Sequence, residues 1–282
     1  MKIHPTDYLR YIVQLLDGSR AKIEREIAQR RDRDIGPFLR DTSRLRILDL
    51  ANGSLQPQYT LLKAAGHRVC GVDLLNRPRL NGTDLAYRIA RRIFTWKLAI
   101  PSRALKPRIL VCGSATDLPF RNDSFDLVTS IAAFEHFLNV PAVVAGIHRI
   151  LRTGGLAWIG IHLFTSLSGG HNFNLTEVPL RRIPVGVQPW DHLRKRSMPF
   201  RVALNEWRLE QYRKLFASRF KILNEYCVMR EGEEFLTPAV EAELKEYSRD
   251  ELTCRSYVIL VEKTSGPLST KDSDQNIVLR AD

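Results

Sequence analysis

Hydrophobic positions in the first 40 residues repeat at helical spacing. Tyr8, Tyr11, Ile12, Leu15 and Leu16 form one stripe, Gly18 interrupts it, and a more polar helix is predicted from Ala21 to about Arg31. From Arg46 the pattern changes to short apolar runs of strand length. RILDL (46–50) and HRVCGVDL (67–74) flank a helical stretch, Gln58 to Ala65, that Gly66 stops. RILVCGSA (108–115), FDLVTSIAA (125–133) and LAWIGIHLF (156–164) continue the series. Between the last two, PAVVAGIHRILR (141–152) carries a helical stripe of Val143, Val144, Ile147 and Leu151 and ends at Gly154-Gly155.

Five apolar strands separated by helices or long connections pair in parallel through right-handed crossovers. Beyond residue 204 the order changes. A helix is predicted over Asn205 to Phe220, a strand at KILNEYCVM (221–229), and another at RSYVILVEK (255–263). Between those two strands, Thr237-Pro238 reads as an N-cap followed by proline at the first position of a Glu-rich helix. The expected fold class is α/β, with seven strands, helices on both faces and two insertions forming a cap. The insertions, at about 77–108 and 164–204, both leave from carboxyl ends of strands, the edge at which open parallel sheets bind ligands. Three parts are expected: an N-terminal helical segment (1–40), the α/β domain (41–263), and a polar, turn-rich tail (264–282) expected to be disordered.

Composition adds compartment and partners. With 282 residues and 44% hydrophobic content the chain can build one sizeable core. No apolar run approaches the roughly 18 residues of a membrane span, and Asp7 and Arg10 interrupt any signal-peptide order at the N-terminus. Cys70, Cys112, Cys227 and Cys254 lie far apart, without a CxxC pair or a histidine at metal spacing. These facts favour a reduced, cytoplasmic setting. No metal is expected, since the acids and histidines do not cluster at ligand spacing. The net charge of +12 is partly local: seven arginines and two lysines face one aspartate between Arg77 and Arg108. Such a balance suits nucleic acid, a phospholipid surface or a phosphorylated substrate, or is a solvated basic face.

The chemistry concentrates at strand ends. The turn after Asp49 has Ala51, Gly53 and Leu55 where a pyrophosphate-binding loop would carry GxGxxG, so a dinucleotide is not supported. A ligand without a pyrophosphate needs one close backbone approach, which Gly53 permits. Asp73 ends the second strand, where a carboxylate can accept both ribose hydroxyls of an adenosine. Asp117, in the run Gly113 to Phe120, sits in the loop after another strand, placed to accept from an exocyclic amine.

Together these stretches resemble the class I S-adenosylmethionine-dependent methyltransferases, in particular the type 11 branch related to ubiquinone and menaquinone biosynthesis enzymes and a bacterial subgroup of it. The likeness covers about Arg46 to Trp158. LDLANG matches the first motif at Asp49 and Gly53, VDL the second at Asp73, and ATDLPF the third at Asp117; SFDLV and HRILRTGGL match the fourth and fifth. Where the family usually has glycine, this chain has Ala51 and Leu55, and Leu55 either crowds the methionine end of the cofactor or packs beneath it. The resemblance implies a Rossmann-like seven-stranded sheet, mostly parallel with an antiparallel last strand. It also implies S-adenosyl-L-methionine as cofactor, S-adenosylhomocysteine as product, and Asp49, Ala51, Gly53, Asp73, Leu74, Ala115, Thr116, Asp117, Leu118 and Ile131 as the residues that hold it.

Methyl transfer from a sulfonium releases a neutral leaving group, so alignment dominates, and a base is needed only where the acceptor loses a proton. Glu135, His136 and His162, near the ends of the fourth and fifth strands, are candidates to face the methyl group. The run HLFTSLSGGHN (162–172) adds His171, three hydroxyls and a Gly-Gly pair expected to be flexible. In the second insertion Trp190, His192 and Arg194 are candidates for a lid that grips the acceptor. In the first, Leu85, Ile89, Ile93 and Ile100 with interleaved arginines suggest a basic amphipathic helix that lies on a membrane, covers a lipid-like substrate, or packs on its own domain. Three functions remain open at this point. One is a methyltransferase acting on an oxygen of a small molecule (a glycan, a quinone or a secondary metabolite), possessing an acidic or lipid-like acceptor. The others are a nucleic-acid methyltransferase and a non-enzymatic binding partner. No Asn-Pro-Pro-aromatic motif or RNA-binding module favours the second.

Overall fold

A computed structural model of the chain describes residues 5–39, 41–76, 82–171, 183, 186–200 and 202–265. The expectation of a disordered tail falls, from residue 266 onward, outside the described residues. Two helices open the chain, α1 (Pro5–Asp17) and α2 (Ser19–Ile35). Then follow β1 (Arg46–Leu50), α3 (Pro57–Ala64), β2 (Arg68–Asp73), α4 (Gly82–Lys97), β3 (Ile109–Cys112), β4 (Phe125–Ile131), α5 (Val140–Ile150) and β5 (Leu151–His162). The remainder is α6 (Asp191–Arg194), α7 (Leu209–Ala217), β6 (Lys221–Arg230), α8 (Pro238–Glu243), α9 (Arg249–Thr253) and β7 (Cys254–Glu262).

The seven strands form one sheet in the order β3-β2-β1-β4-β5-β7-β6. The first five pair in parallel, and β7 runs antiparallel to both β5 and β6. This is the Rossmann-like arrangement expected. Strand order reverses between β1 and β4, which opens a crevice at their carboxyl ends. Alternation along β1 divides its residues between the faces: Leu48 and Leu50 join the core under α5 and α7, while Ile47 joins the core under α2 and α3. Asp49 shares the face of Ile47 and is buried there.

Local signals explain most element ends. Asn139 caps α5, its Oδ1 accepting from the Ala142 amide at 3.1 Å, and the stripe of Val143, Val144 and Ile147 is fully buried. Thr237 and Ser248 cap α8 and α9 in the same way. Two helices depart from expectation. α2 runs on to Ile35 because Asp34 has partners across the sheet: its carboxylate accepts from Trp158 Nε1 at 2.7 Å and from Tyr226 Oη at 2.5 Å. α7 begins at Leu209 rather than Asn205, because Asn205 binds elsewhere: its Nδ2 donates to the carbonyls of Phe134 (2.7 Å) and Phe137 (3.0 Å).

The first insertion builds α4, which packs through Phe94 and Leu98 against Leu15, Ala21 and Leu55. Leu85 and Ile89, on the apolar side of the predicted helix, are exposed. The second insertion contributes Trp190 to a small core with Leu167, Leu236, Val240, Leu244 and Leu252. Among the described residues no helix is long and apolar enough to cross a membrane.

Candidate active site

The crevice has two halves. In the first, Asp73 closes β2 and reaches the turn after β1: its Oδ2 accepts from the Gly53 amide at 2.8 Å and its Oδ1 from the Leu75 amide at 2.7 Å. A carboxylate has about four acceptor positions, so two remain for hydroxyls. Ala51 takes the left-handed conformation (φ 57°) and donates its N–H to the Val72 carbonyl, which turns the chain sharply away from β1. Gly53, at φ 64°, has open space where a Cβ would stand, so the turn leaves a hollow beside the Asp73 carboxylate. Leu74, which is exposed, and the exposed Thr116 and Asp117 border the same strand ends. An amide clamp braces the hollow: Asn76 Nδ2 donates to Asn52 Oδ1 (3.1 Å) and to the Val111 carbonyl (3.0 Å). Asp49 lies beneath. Burial pushes its pKa up to about 7, with Arg31 pulling the other way, and its Oδ2 has no hydrogen-bond partner among the described residues.

The second half is built on β4 and β5. A helical turn, Phe134–His136, follows β4 and is pinned by Asn205, whose N–H also donates to the Glu135 carbonyl at 2.9 Å. Glu135 is 1% exposed, and among the described residues neither carboxylate oxygen has a hydrogen-bond partner. Burial raises its pKa to about 8 against the pull of nearby backbone N–H groups and Arg255. His162 ends β5, and its ring lies 4.8 Å from that of His171, which in turn meets the His136 ring at 5.0 Å. Glu135, His162 and His171 bring one donor atom each within 4.8 Å of one another. Separation along the chain gave no hint of this, and the expectation that the acids and histidines do not cluster at ligand spacing is corrected here. Desolvation holds His162 well below the ordinary histidine range and His171 at about 3, with neighbouring positive groups adding to it.

A relay sits behind His162. Ser168 Oγ donates to Glu231 Oε1 at 2.5 Å, and Glu231 pairs with Arg255 at 3.3 Å. With the serine proton committed to a carboxylate, His162 Nε2 must be the donor in its 3.0 Å contact with Ser168 Oγ, which leaves the lone pair on Nδ1. For His136, Nδ1 lies 3.1 Å from the Ala203 carbonyl and donates to it, so the lone pair is on Nε2. Glu231, Arg255, Ser168 and Asn205 were not among the residues the sequence singled out. A buried charged pair at the ends of β6 and β7 has no signature in a single chain.

Several sequence expectations change. Leu118 is a core residue packed over Gly146, so its side chain does not line the crevice. Of the two expectations for Leu55 the packed one fits: it joins the core of α1, α2 and α4. The Gly169-Gly170 pair serves close packing rather than flexibility. A Cβ at Gly169 would stand 2.2 Å from the Phe164 carbonyl oxygen, and one at Gly170 would stand 2.5 Å from the His192 Cβ. Residues 163–171 are buried throughout. Trp190 and His192 are fully buried, their ring N–H groups committed to the carbonyls of Leu252 (3.2 Å) and Phe164 (2.7 Å), and Arg194 is paired with Glu243 at 2.5 Å. Trp190 and His192 brace the 163–171 wall through Leu167 and Phe164, and Arg194 ties α6 to α8.

Residues 48–159 match the family model described as "Methyltransferase domain". Over that stretch, which is under half of the chain, the sequence is similar to methyltransferase domains. The match spans β1 to β5, the strands that carry both halves of the crevice, and the cofactor of this domain class is S-adenosylmethionine. The chain is also 30% identical over 110 residues to a protein of Botryococcus braunii named "Sterol methyltransferase-like 1", an overlap of 39% of this chain and 25% of that one. It thus spans about a quarter of the length of that curated relative. Similar solved structures include the PH0226 protein of Pyrococcus horikoshii OT3, with 20% identity and TM-score 0.49, covering 84% of this chain and 91% of that one. Another is a SAM-dependent methyltransferase of Methanosarcina mazei, with 18% identity and TM-score 0.47, covering 82% and 96%. The crevice suits an adenosyl cofactor on its own geometry. The hollow at Gly53 and the strand-end carboxylate of Asp73 suit an adenosyl group, and the exposed apolar Leu74 offers a surface for a base.

Proposed function

We propose that the chain moves a methyl group from S-adenosylmethionine to an oxygen of a small-molecule acceptor of glycan, quinone or secondary-metabolite type. The observation that carries this reading is the wall of Glu135, His136, His162 and His171 at the ends of β4 and β5, the strands beside the Gly53–Asp73 hollow. A hydroxyl nucleophile must lose a proton, and this wall offers groups to orient it and to take the proton.

When bound, the cofactor supplies a methyl on a positively charged sulfur, which leaves as a neutral thioether. Asp73 and the Gly53 turn would hold its ribose end, with Ala51, Leu74, Ala115, Thr116, Asp117 and Ile131 around it. The chain's own contribution is placement and proton handling. His136 is the base in this reading: its side chain is 35% exposed, its Nε2 carries the lone pair, and the Ala203 carbonyl fixes the ring. Its pKa is lowered by burial, which keeps it unprotonated near neutrality. His162 and His171 resist protonation more strongly and serve as acceptors that position a hydroxyl. With its pKa near 8, Glu135 is protonated at neutral pH and can donate.

A lipid-like or acidic acceptor gains support from the outer face. Leu85, Ile89 and Trp96 of α4 are exposed beside Arg88 and Arg92, and Ile12, Val13 and Leu16 of α1 are exposed as well. Such a face suits peripheral contact with an anionic membrane surface. The test is label transfer from methyl-labelled S-adenosylmethionine to panels of hydroxylated glycans, quinols and phenols, with RNA and DNA alongside. The reading expects an O-methyl product and a fall of about 100-fold or more in kcat for His136→Ala with little change in KM. Label found only in nucleic acid, or on nitrogen or carbon, would overturn it.

A further inference from the structure

We propose that Glu135, His162 and His171 bind a divalent first-row transition-metal ion. Their donor atoms already lie within 4.8 Å of one another at the ends of two adjacent strands. Ligation at roughly 2.0–2.2 Å needs donors about 3–4 Å apart, so each side chain has to move in by well under 1 Å.

Three features separate this cluster from a set of histidines that merely pack. First, both Glu135 oxygens and His171 Nε2 are buried without a hydrogen-bond partner among the described residues, on residues only 1% and 8% exposed. Buried polar atoms without partners are rare, and here they belong to groups that meet at one point. A shared cation satisfies all of them at once. Second, the Ser168–Glu231–Arg255 relay behind His162 puts the Nε2 proton outward and the Nδ1 lone pair free to ligate. Outer carboxylate and hydroxyl partners orient metal-bound imidazoles in this way. Third, the wall cannot easily spread. The 163–171 segment is buried throughout, Gly170 packs against His192, and the 134–136 turn is pinned by Asn205.

The donor set fixes the class of ion. Two imidazoles and one carboxylate suit zinc, iron, cobalt or manganese in the divalent state and fit magnesium or calcium poorly, since those ions take oxygen ligands. Three protein ligands leave positions open for a substrate oxygen. Resting on the methyltransferase reading, the ion would polarise the acceptor hydroxyl and take over the orienting role that Glu135, His162 and His171 have in the metal-free site. The O–H proton passes to His136 Nε2, the oxygen forms its bond to the methyl carbon, and the sulfur–methyl bond breaks with its electron pair staying on sulfur.

Two measurements test this on the full chain after treatment with EDTA: calorimetric titration with Zn2+, and the visible absorption of added Co2+. One ion per chain is expected, with affinity lowered at least about 100-fold in both Glu135→Gln and His171→Asn and about 10-fold in Ser168→Ala. A Cys227→Ser/Cys254→Ser double variant should be unchanged, and circular dichroism melts show that each variant folds. No uptake by the wild-type chain, or an unaltered Co2+ spectrum in folded Glu135→Gln and His171→Asn, would overturn the proposal. S-adenosylhomocysteine titrated into the same metal-free sample reports on the methyltransferase reading separately. Its binding without metal uptake sinks the ion site and leaves that reading standing.

Discussion

Glu135→Gln should make the protein more stable as pH rises, even though it alters the centre of the candidate site. The carboxyl group is fully buried, and its pKa stands at about 8, against 4.5 for the ordinary group. Below about pH 4 folded and unfolded chains both carry the proton, and burying the neutral acid carries no electrostatic penalty. As pH rises the unfolded chain loses the proton first, while the folded chain keeps it until about pH 8. Each pH unit in that window therefore lowers stability by about 1.4 kcal/mol, and the whole window by about 4–5 kcal/mol. Asp49, raised to about 7, acts in the same direction. The buried histidines act oppositely, because their lowered values remove stability as pH falls below the ordinary 6.5. Comparing variant with wild type cancels these backgrounds, and the slope of the difference isolates Glu135 from any fixed cost of the new amide. Urea denaturation in EDTA at pH 5, 6, 7, 8 and 9 measures it. The gap should widen in favour of Glu135→Gln by several kcal/mol between pH 5 and 8 and then level off. Parallel stability curves across that range would refute the buried, unpartnered acid.

Gly169→Ala should cost about 3 kcal/mol or more, because the new methyl meets two backbone carbonyls that cannot yield, and melting should fall by roughly 6–12 °C in a scanning experiment. Leu55→Gly restores the residue usual in the family. It should still lose about 2–4 kcal/mol in a denaturant titration and leave S-adenosylhomocysteine affinity unchanged, because Leu55 fills the core formed with Leu15, Ala21, Phe94 and Leu98. Trp96→Ser should reduce flotation with anionic phospholipid vesicles several-fold without altering the melting temperature, whereas equal flotation would remove α4 from any membrane contact.

The sheet was legible because its signals are local. Short apolar runs, the Gly66 stop and the Thr237 cap each follow from a few neighbouring residues, and parallel pairing follows from crossover length. The residues of the Gly53–Asp73 hollow were legible for a similar reason, since strand ends place them. The wall on β4 and β5 was only half legible. Its histidines stood out as residue types, but their convergence on Glu135 depends on β4 and β5 being neighbours and on the fold of the 163–171 segment. The Gly169-Gly170 pair looked like a hinge because glycine permits both mobility and close approach, and only the nearby carbonyls and His192 decide between them. Trp190, His192 and Arg194 looked like a lid because polar and aromatic types suit ligands as well as internal bracing. The helix predicted from Asn205 starts only at Leu209 because the Asn205 amide is worth more on the Phe134 and Phe137 carbonyls than in another turn of α7.

Equilibrium calorimetry with S-adenosylhomocysteine, run on the wild-type chain and on Asp73→Ala, tests most directly whether the strand-end hollow is a cofactor site. Saturable one-to-one heat is expected from the wild type, with affinity at least about 10-fold weaker in the variant, the loss of charge-assisted hydrogen bonds to two hydroxyls. Equal affinity in the two proteins, or no heat from the wild type, would contradict it.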